Sequence, residues 1–369
     1  MRRPPSRWRG PRAGRRLLAS VILAAVCILP ACGPGPGRRS SGPSPRPLRL
    51  GCFPNLTHAQ ALVGRRSGSF ERATGVPIEW TFFNAGPSAV EALFAGAIDA
   101  AYLGPNPAIN GHIKSSGRSF VIVAGAASGG AALVVRGDAP IHRDADFHGR
   151  TVATPQLGNT QDVAARLWFQ SRGYVTRDRG GDLTLIPLAN PDQLLMFQRR
   201  EIDAAWTIEP WVSRLEQETG GRVYLEESEL WPGGRYPTAL LVVRRAVLEE
   251  RPEVVRRLLA AHVDATRELT ADPQGKAEDL ALEIRRVTQT MLPLPIVRSA
   301  LRRLAFTWDP LLPALAKAAD DARRIGFLSG RPSVEAIADL GPLNDVLIER
   351  RLPPVEIPAG EAASAGGPR

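Results

Sequence analysis

Cysteine is scarce. Three occur in 369 residues, and only Cys52 lies in the body of the chain, because Cys27 and Cys32 fall near the N-terminus. No disulfide can therefore staple the body from within. There is no CxxC, no pair of histidines at helical spacing and no cluster of His, Cys and carboxylates. Such a chain offers no metal site to read and no cofactor motif. No basic run with interleaved aromatics occurs in the body, so nucleic acid is not an expected partner. No apolar run reaches the about 20 residues that span a membrane. The longest, LLASVILAAVCILPA from Leu17 to Ala31, is too short. No nucleophile stands next to a base, and no catalytic residue is assigned.

What is present begins with that short run. Seven arginines and no acidic residue precede it between Arg2 and Arg16. A basic flank, a short apolar core and a small residue at its end make residues 1–31 a secretory signal. Leu29-Pro30-Ala31-Cys32 resembles the lipobox of bacterial lipoproteins, which implies lipidation of Cys32. Residues 32–47, GPGPGRRSSGPSPRP after the cysteine, read as a flexible tether with too little apolar surface to order itself. Taking the seven signal arginines from the net charge of +10 leaves +3, so the high pI belongs mostly to the targeting segment. The expected place is outside the cytoplasm, anchored to a bacterial membrane.

The body carries a faint duplication. LRLGCFPNLTHAQALVG (48–64) and RTVATPQLGNTQDVAARLW (150–168) both run from an apolar strand through a proline and a polar loop into an amphipathic helix. FAGAIDAAYLGP (94–105) parallels FQRREIDAAWTIEP (197–210), placing Asp99 and Asp203 at matching points. AALVVRGD (131–138) parallels TALLVVRRA (238–246), both continuous β-branched runs typical of buried strands. The pattern predicts an α/β protein of two Rossmann-like lobes joined by a two-strand hinge. Lobe 1 is expected to comprise 48–135 plus 240–355, lobe 2 136–239, and a disordered tail 356–369. The hinge strands are placed near Val134–Val135 and Val242–Val243. The C-terminal third reads as amphipathic helices that buttress lobe 1, with Val254, Val255, Leu258, Leu259 and Val263 on one buried face. Their arginines read as a solvated face.

Helix starts leave four N–H groups unpaired and carry partial positive charge, so they bind anions without a cationic side chain. In open α/β sheets, ligands sit at the carboxyl ends of strands. Asn55, Thr57 and His58 open the first helix and Gly158, Asn159, Thr160 and Gln161 the corresponding one. Gly104, Pro105 and Asn106 begin another helix, and Ser128, Gly129 and Gly130 precede the expected hinge strand. Glu209 and Trp211 lie at the matching point of lobe 2. Glu209 is suited to accept from a ligand amine or from a lobe-1 side chain, and Trp206 and Trp211 to cover an apolar ligand tail. Taken alone, each of these turns is an ordinary N-cap; two matched turns point to a shared ligand.

LGCFPNLTHAQALVG, AAYLGPNPAINGHIKS, SGGAALVVR, VATPQLGNTQDVAAR and IEPWVSRL together resemble the alkanesulfonate, taurine and nitrate group of substrate-binding proteins of ABC importers. The resemblance implies a type II periplasmic-binding-protein fold that closes over a sulfonate or other small oxyanion. It also implies delivery to a membrane permease driven by a separate ATPase, with the binder acting as a monomer. Cys52 stands where many relatives have a bulky residue, and is expected to alter the pocket wall. Two other readings remain: a binder of a heterocycle such as a thiamine-pyrimidine precursor, with Trp206 and Trp211 stacking on the ring, and a biosynthetic enzyme using His58, Asp162 and Glu209.

Overall fold

The computed structural model describes residues 45–329 and 334–357. The expected signal, Cys32, the tether up to residue 44 and the tail from residue 358 lie outside the described residues. Among those described, no helix is long and apolar enough to cross a membrane.

The first half runs β1 (Leu48–Cys52), α1 (Ala59–Ser67), α2 (Ser69–Thr74), β2 (Ile78–Phe82), α3 (Gly86–Phe94), β3 (Ala100–Leu103), α4 (Pro105–Lys114) and β4 (Phe120–Gly129). Then follow β5 (Ala131–Val135), β6 (Thr151–Thr154), α5 (Thr160–Ser171), β7 (Thr184–Pro187), α6 (Asn190–Gln198), β8 (Ala204–Ile208), α7 (Trp211–Thr219) and β9 (Arg222–Glu226). The chain continues through β10 (Pro237–Arg244), α8 (Arg245–Glu250), α9 (Pro252–Ala271), α10 (Ala277–Thr288), α11 (Leu294–Arg302), β11 (Leu304–Phe306) and α12 (Leu312–Arg324).

Two sheets form. One has the order β11-β4-β10-β3-β1-β2, the other β7-β6-β8-β5-β9. The duplication is visible in their topology. In each, the first strand of the unit pairs in parallel with two neighbours, β1 with β2 and β3, β6 with β7 and β8. In each, an antiparallel strand closes on the third, β10 on β3 and β5 on β8. The repeated Ile-Asp-Ala-Ala motif has one local job in both halves. Asp99 accepts the Arg49 N–H at 2.9 Å, and Asp203 accepts the Thr151 N–H at 2.9 Å. Each carboxylate thus fixes the start of the neighbouring parallel strand.

The switch between sheets falls elsewhere than the expected hinge strands. β5 lies wholly in the second sheet, with Val134 and Val135 opposite Ala205 and Ala204. β10 lies wholly in the first, with Val242 and Val243 opposite Ala101 and Ala100. The two similar β-branched runs are equivalent strands of the two halves, each buried inside its own sheet. The chain crosses instead at Gly129 and Gly130, both left-handed with φ near +80°, a geometry glycine adopts without steric cost. It returns through residues 227–236, between β9 and β10.

The larger core surrounds the first sheet and includes the predicted face of α9: Val255, Leu258, Leu259 and Val263 are fully buried, with Val254 packed at the edge. Each buried aliphatic side chain of this kind contributes about 1.5–3 kcal/mol relative to exposure. The second sheet has separate clusters on its two faces, one around Phe147, Trp168 and Trp206, the other around Leu194, Phe197 and Leu215.

Candidate ligand-binding site

The loops at the carboxyl ends of β1, β3, β6 and β8 meet across the gap between the two sheets. Trp211 at the start of α7 donates its indole N–H to Asn55 Oδ1 at 3.3 Å. Gly104, the N-cap of α4, stands so close to the start of α5 that an added Cβ would lie 2.5 Å from Thr160 Oγ1. In the first turn of α3, a Cβ on Gly86 would lie 3.5 Å from Asn159 Oδ1. The segments around Asn55, Gly104 and Thr160 therefore share one gap.

Three donors in the first turns of α4 and α5 have no partner. Asn106 Nδ2, Thr160 Oγ1 and Gln161 Nε2 are buried without a hydrogen bond, in residues only 6%, 6% and 3% exposed. The sequence makes this arrangement locally. Pro105 occupies the first turn of α4, where its missing N–H is harmless. Asn159 caps α5 by accepting the Thr160 N–H at 2.9 Å. Asp162 braces the loop before it, accepting from Thr154 Oγ1 at 2.7 Å, the Gly158 N–H at 2.9 Å and Arg166 Nε at 3.0 Å. With these three bonds in place, the Asp162 carboxylate serves as a loop brace.

Other expected contacts are used internally. His58 Nδ1 accepts the Phe53 N–H at 3.1 Å and the ring stacks on Phe53 at 4.5 Å. Burial lowers its pKa to about 3, so the imidazole is neutral and closes its own loop. A short 3-10 turn, Leu56–His58, intervenes before α1, and Asn55 makes no cap bond. Thr57 is buried in that turn. Ser128 Oγ accepts the Tyr236 N–H at 3.2 Å, and Gly130 O accepts the Glu209 N–H at 2.8 Å; Ser128, Gly129 and Gly130 thus build the crossing between sheets. Trp206 is fully buried and gives its indole N–H to Glu227 Oε2 at 2.7 Å, which removes it as a cover for a ligand. Cys52 is fully buried in the core and lines neither of the two cavities that border the gap.

Glu209 meets a side chain that the sequence reading left on a solvated face. Its carboxylate accepts the Ser213 N–H at 3.1 Å, Ser213 Oγ at 2.9 Å and Arg303 Nη1 at 3.2 Å. Burial raises its pKa to about 7, with Ser213 and Arg303 opposing. Arg303, between α11 and the first-sheet strand β11, also reaches Glu216 at 3.0 Å and Glu226 at 2.9 Å. Burial works against the guanidinium charge, but the three carboxylates outweigh it and hold its pKa above the ordinary range.

The two cavities flank the line of contact. One, about 520 Å³, opens among Pro54, Asn55, Phe82, Asn84, Trp211 and Leu292, with the Arg214 guanidinium 4.7 Å over the Trp211 ring. The other, about 220 Å³, is lined by Asn106, Thr160, Trp168, Glu227, Trp231 and Lys317. Sequence reasoning missed Trp168, yet the signal existed. Thr160, Ala164 and Trp168 recur at four-residue steps along α5 and share its cavity-facing side. Glu227 had no such signal, lying within the acidic run Glu226–Glu229. No group of three or more His, Cys, Asp or Glu suited to a metal occurs among the described residues.

Residues 41–284, more than half of the chain, match the NMT1-like family. The chain belongs to the NMT1-like family. It is 26% identical over 216 residues to the taurine-binding periplasmic protein of Escherichia coli (strain K12), covering 58% of this chain and 64% of that protein. The match therefore spans less than two thirds of that relative. Among solved structures, the periplasmic nitrate-binding protein NrtA of Synechocystis PCC 6803 superposes with a TM-score of 0.70 at 15% identity, over 83% of this chain and 89% of that one. The alkanesulfonate-binding protein SsuA of Xanthomonas axonopodis pv. citri, bound to MOPS, gives 0.65 at 20% identity, over 81% and 100%. The fold of this NMT1-like chain is thus that of periplasmic binding proteins. It is not confined to them: the desulfurization enzyme DSZB superposes at 0.60 with 19% identity, over 83% and 99%.

Proposed function

We propose that this chain is the extracytoplasmic solute-binding component of an ABC importer and takes a small oxyanion, such as an alkanesulfonate or taurine, between its two lobes. One observation carries the reading: Asn106 Nδ2, Thr160 Oγ1 and Gln161 Nε2 are buried and unpaired where the first turns of α4 and α5 meet. An unpaired buried donor costs about 1–3 kcal/mol, and an anion placed there relieves it. The helix starts add partial positive charge. A sulfonate spreads its charge over three oxygens and suits several neutral donors, without the cost of burying an unpaired cation. The ligand favours the closed arrangement in proportion to its differential affinity for it.

In this reading the protein is a monomer. It is tethered through a lipid on Cys32 and passes its solute to a membrane permease with a separate ATPase. Binding rather than catalysis is supported by the state of two reactive groups, Cys52 at the end of β1 and His58 in the turn after it. Burial pushes the Cys52 thiol well above its ordinary range, and His58 is neutral with Nδ1 occupied.

Calorimetric titration of the mature protein with taurine, short alkanesulfonates and nitrate tests the assignment. At least one sulfonate is expected to bind in the micromolar range or tighter, and to be recovered unchanged by mass spectrometry. Binding no tighter than millimolar for all of them, or turnover of any, overturns it.

A further inference from the structure

The 220 Å³ cavity has two unlike polar ends. At one end lie Asn106 Nδ2 and Thr160 Oγ1, at the other Trp168 Nε1 and Glu227 Oε1, and none of these four buried atoms has a hydrogen bond. Trp168 packs on Trp206 at 6.1 Å, and Trp206 donates to the other oxygen of Glu227 at 2.7 Å, so Glu227 belongs to the Trp168 end. Thr160 and Trp168 are eight residues apart on α5, an axial rise of about 12 Å. Apolar side chains, Val163, Leu167 and Leu230 among them, line the stretch between.

Charge distinguishes the ends further. Each cation around the cavity already contacts a carboxylate: Lys317 and Arg324 share Asp321, at 2.6 and 3.6 Å, and Arg172 pairs with Asp144 at 2.5 Å. Glu227 makes no ion pair among the described residues and is fully buried. Burial raises its pKa to about 7, with Trp206, Trp231 and Lys317 opposing. A buried carboxyl without a cation is costly unless something supplies one.

Size sets a limit. A cavity of about 150 Å³ holds a benzene molecule, so this space admits a narrow solute of roughly ten heavy atoms.

Resting on the oxyanion reading above, we propose that the solute is bipolar. Its anionic head meets Asn106 and Thr160, its protonated amine meets Glu227, and a spacer longer than taurine's two carbons joins them. Glu227 is then a specificity-determining residue for amine-bearing sulfonates.

The test is calorimetry on the full mature chain with 2-aminoethane-, 3-aminopropane- and 4-aminobutanesulfonate, each paired with the alkanesulfonate that lacks the amine. The amine is expected to improve affinity at least tenfold in the two longer pairs and least in the shortest. Glu227→Gln keeps an acceptor for the Trp206 indole and should abolish that gap within each pair. Equal affinity within each pair overturns the proposal and leaves the sulfonate reading standing, as does a gap that survives in Glu227→Gln. Failure of every sulfonate overturns both. The ligand series on the unaltered protein decides by itself should the variant not fold.

Discussion

Gly104 sets the start of α4 against the start of α5, and only a hydrogen fits there. Its backbone is extended, with φ −74°, so alanine suits the conformation and fails only on space. Gly104→Ala is expected to hold the helix starts apart and weaken anion binding at least tenfold. Its stability should change by no more than about 1 kcal/mol, the usual cost at an N-cap. Calorimetry and thermal melting of the same sample separate the two effects. Thr160→Val makes the complementary change: it keeps the shape and removes an unpaired buried hydroxyl. Stability should hold or rise slightly, while sulfonate affinity falls by about 1.5–3 kcal/mol, the worth of a hydrogen bond to a charged group. Equal affinity in variant and parent would remove Thr160 from the site. Among the residues singled out from sequence, Thr160, Gln161 and Asn106 are the ones left unsatisfied. His58, Ser128 and Glu209 are of equally polar type, but neighbours distant in sequence satisfy them, and no local pattern reveals such partners.

At the level of elements, the strand-to-helix turns were legible because each combines a proline, a polar loop and an apolar helix face within a few residues. The antiparallel strands were misplaced for a related reason. β5 and β10 look alike because they play the same part in two copies of one topology, and likeness alone does not make a pair of connecting strands. The arginines after α9 looked like a water-facing side, and most are exposed. Arg303 is half-buried instead, joining the end of α11 to Glu209, Glu216 and Glu226 across the gap. Arg303→Met is expected to destabilise the protein by about 2–4 kcal/mol in urea unfolding, since removing one partner strands a buried carboxylate. The lower part of that range is favoured because Arg303 remains 22% exposed. A change under about 0.5 kcal/mol would mean that the cluster contributes as little as an exposed pair.

For the whole molecule, fold class and repeat followed from a period of about a hundred residues, which no local rearrangement disguises. The position of the cavities did not, because side chains from α12 and residues 227–231 reach the smaller one, and residues 284–292 the larger, from far along the chain. Stability against pH is also a property of the whole. Glu227 has its pKa raised from 4.5 to about 7. The folded state therefore holds more protons than the unfolded chain across that window, and its contribution to stability declines as pH rises through it. His58 and His262 are lowered by burial from 6.5 to about 3 and about 4. They hold fewer protons when folded, so their contribution is lost as pH falls below 6.5. Glu227→Gln should thus gain stability relative to the parent as pH rises from 4.5 to 7, read as a widening difference in Tm by circular dichroism. A constant difference across that range would show that the carboxyl ionises as freely folded as unfolded.

The two crossings between sheets are unequal. One is the glycine pair at 129–130, a tight pivot; the other is the ten-residue arm 227–236, which carries Glu227 and Trp231 into the wall of the smaller cavity. An arm that must flex when the halves part cannot also keep that wall intact. Parting the halves would therefore open the smaller cavity in a single stroke, with no separate door to unlock.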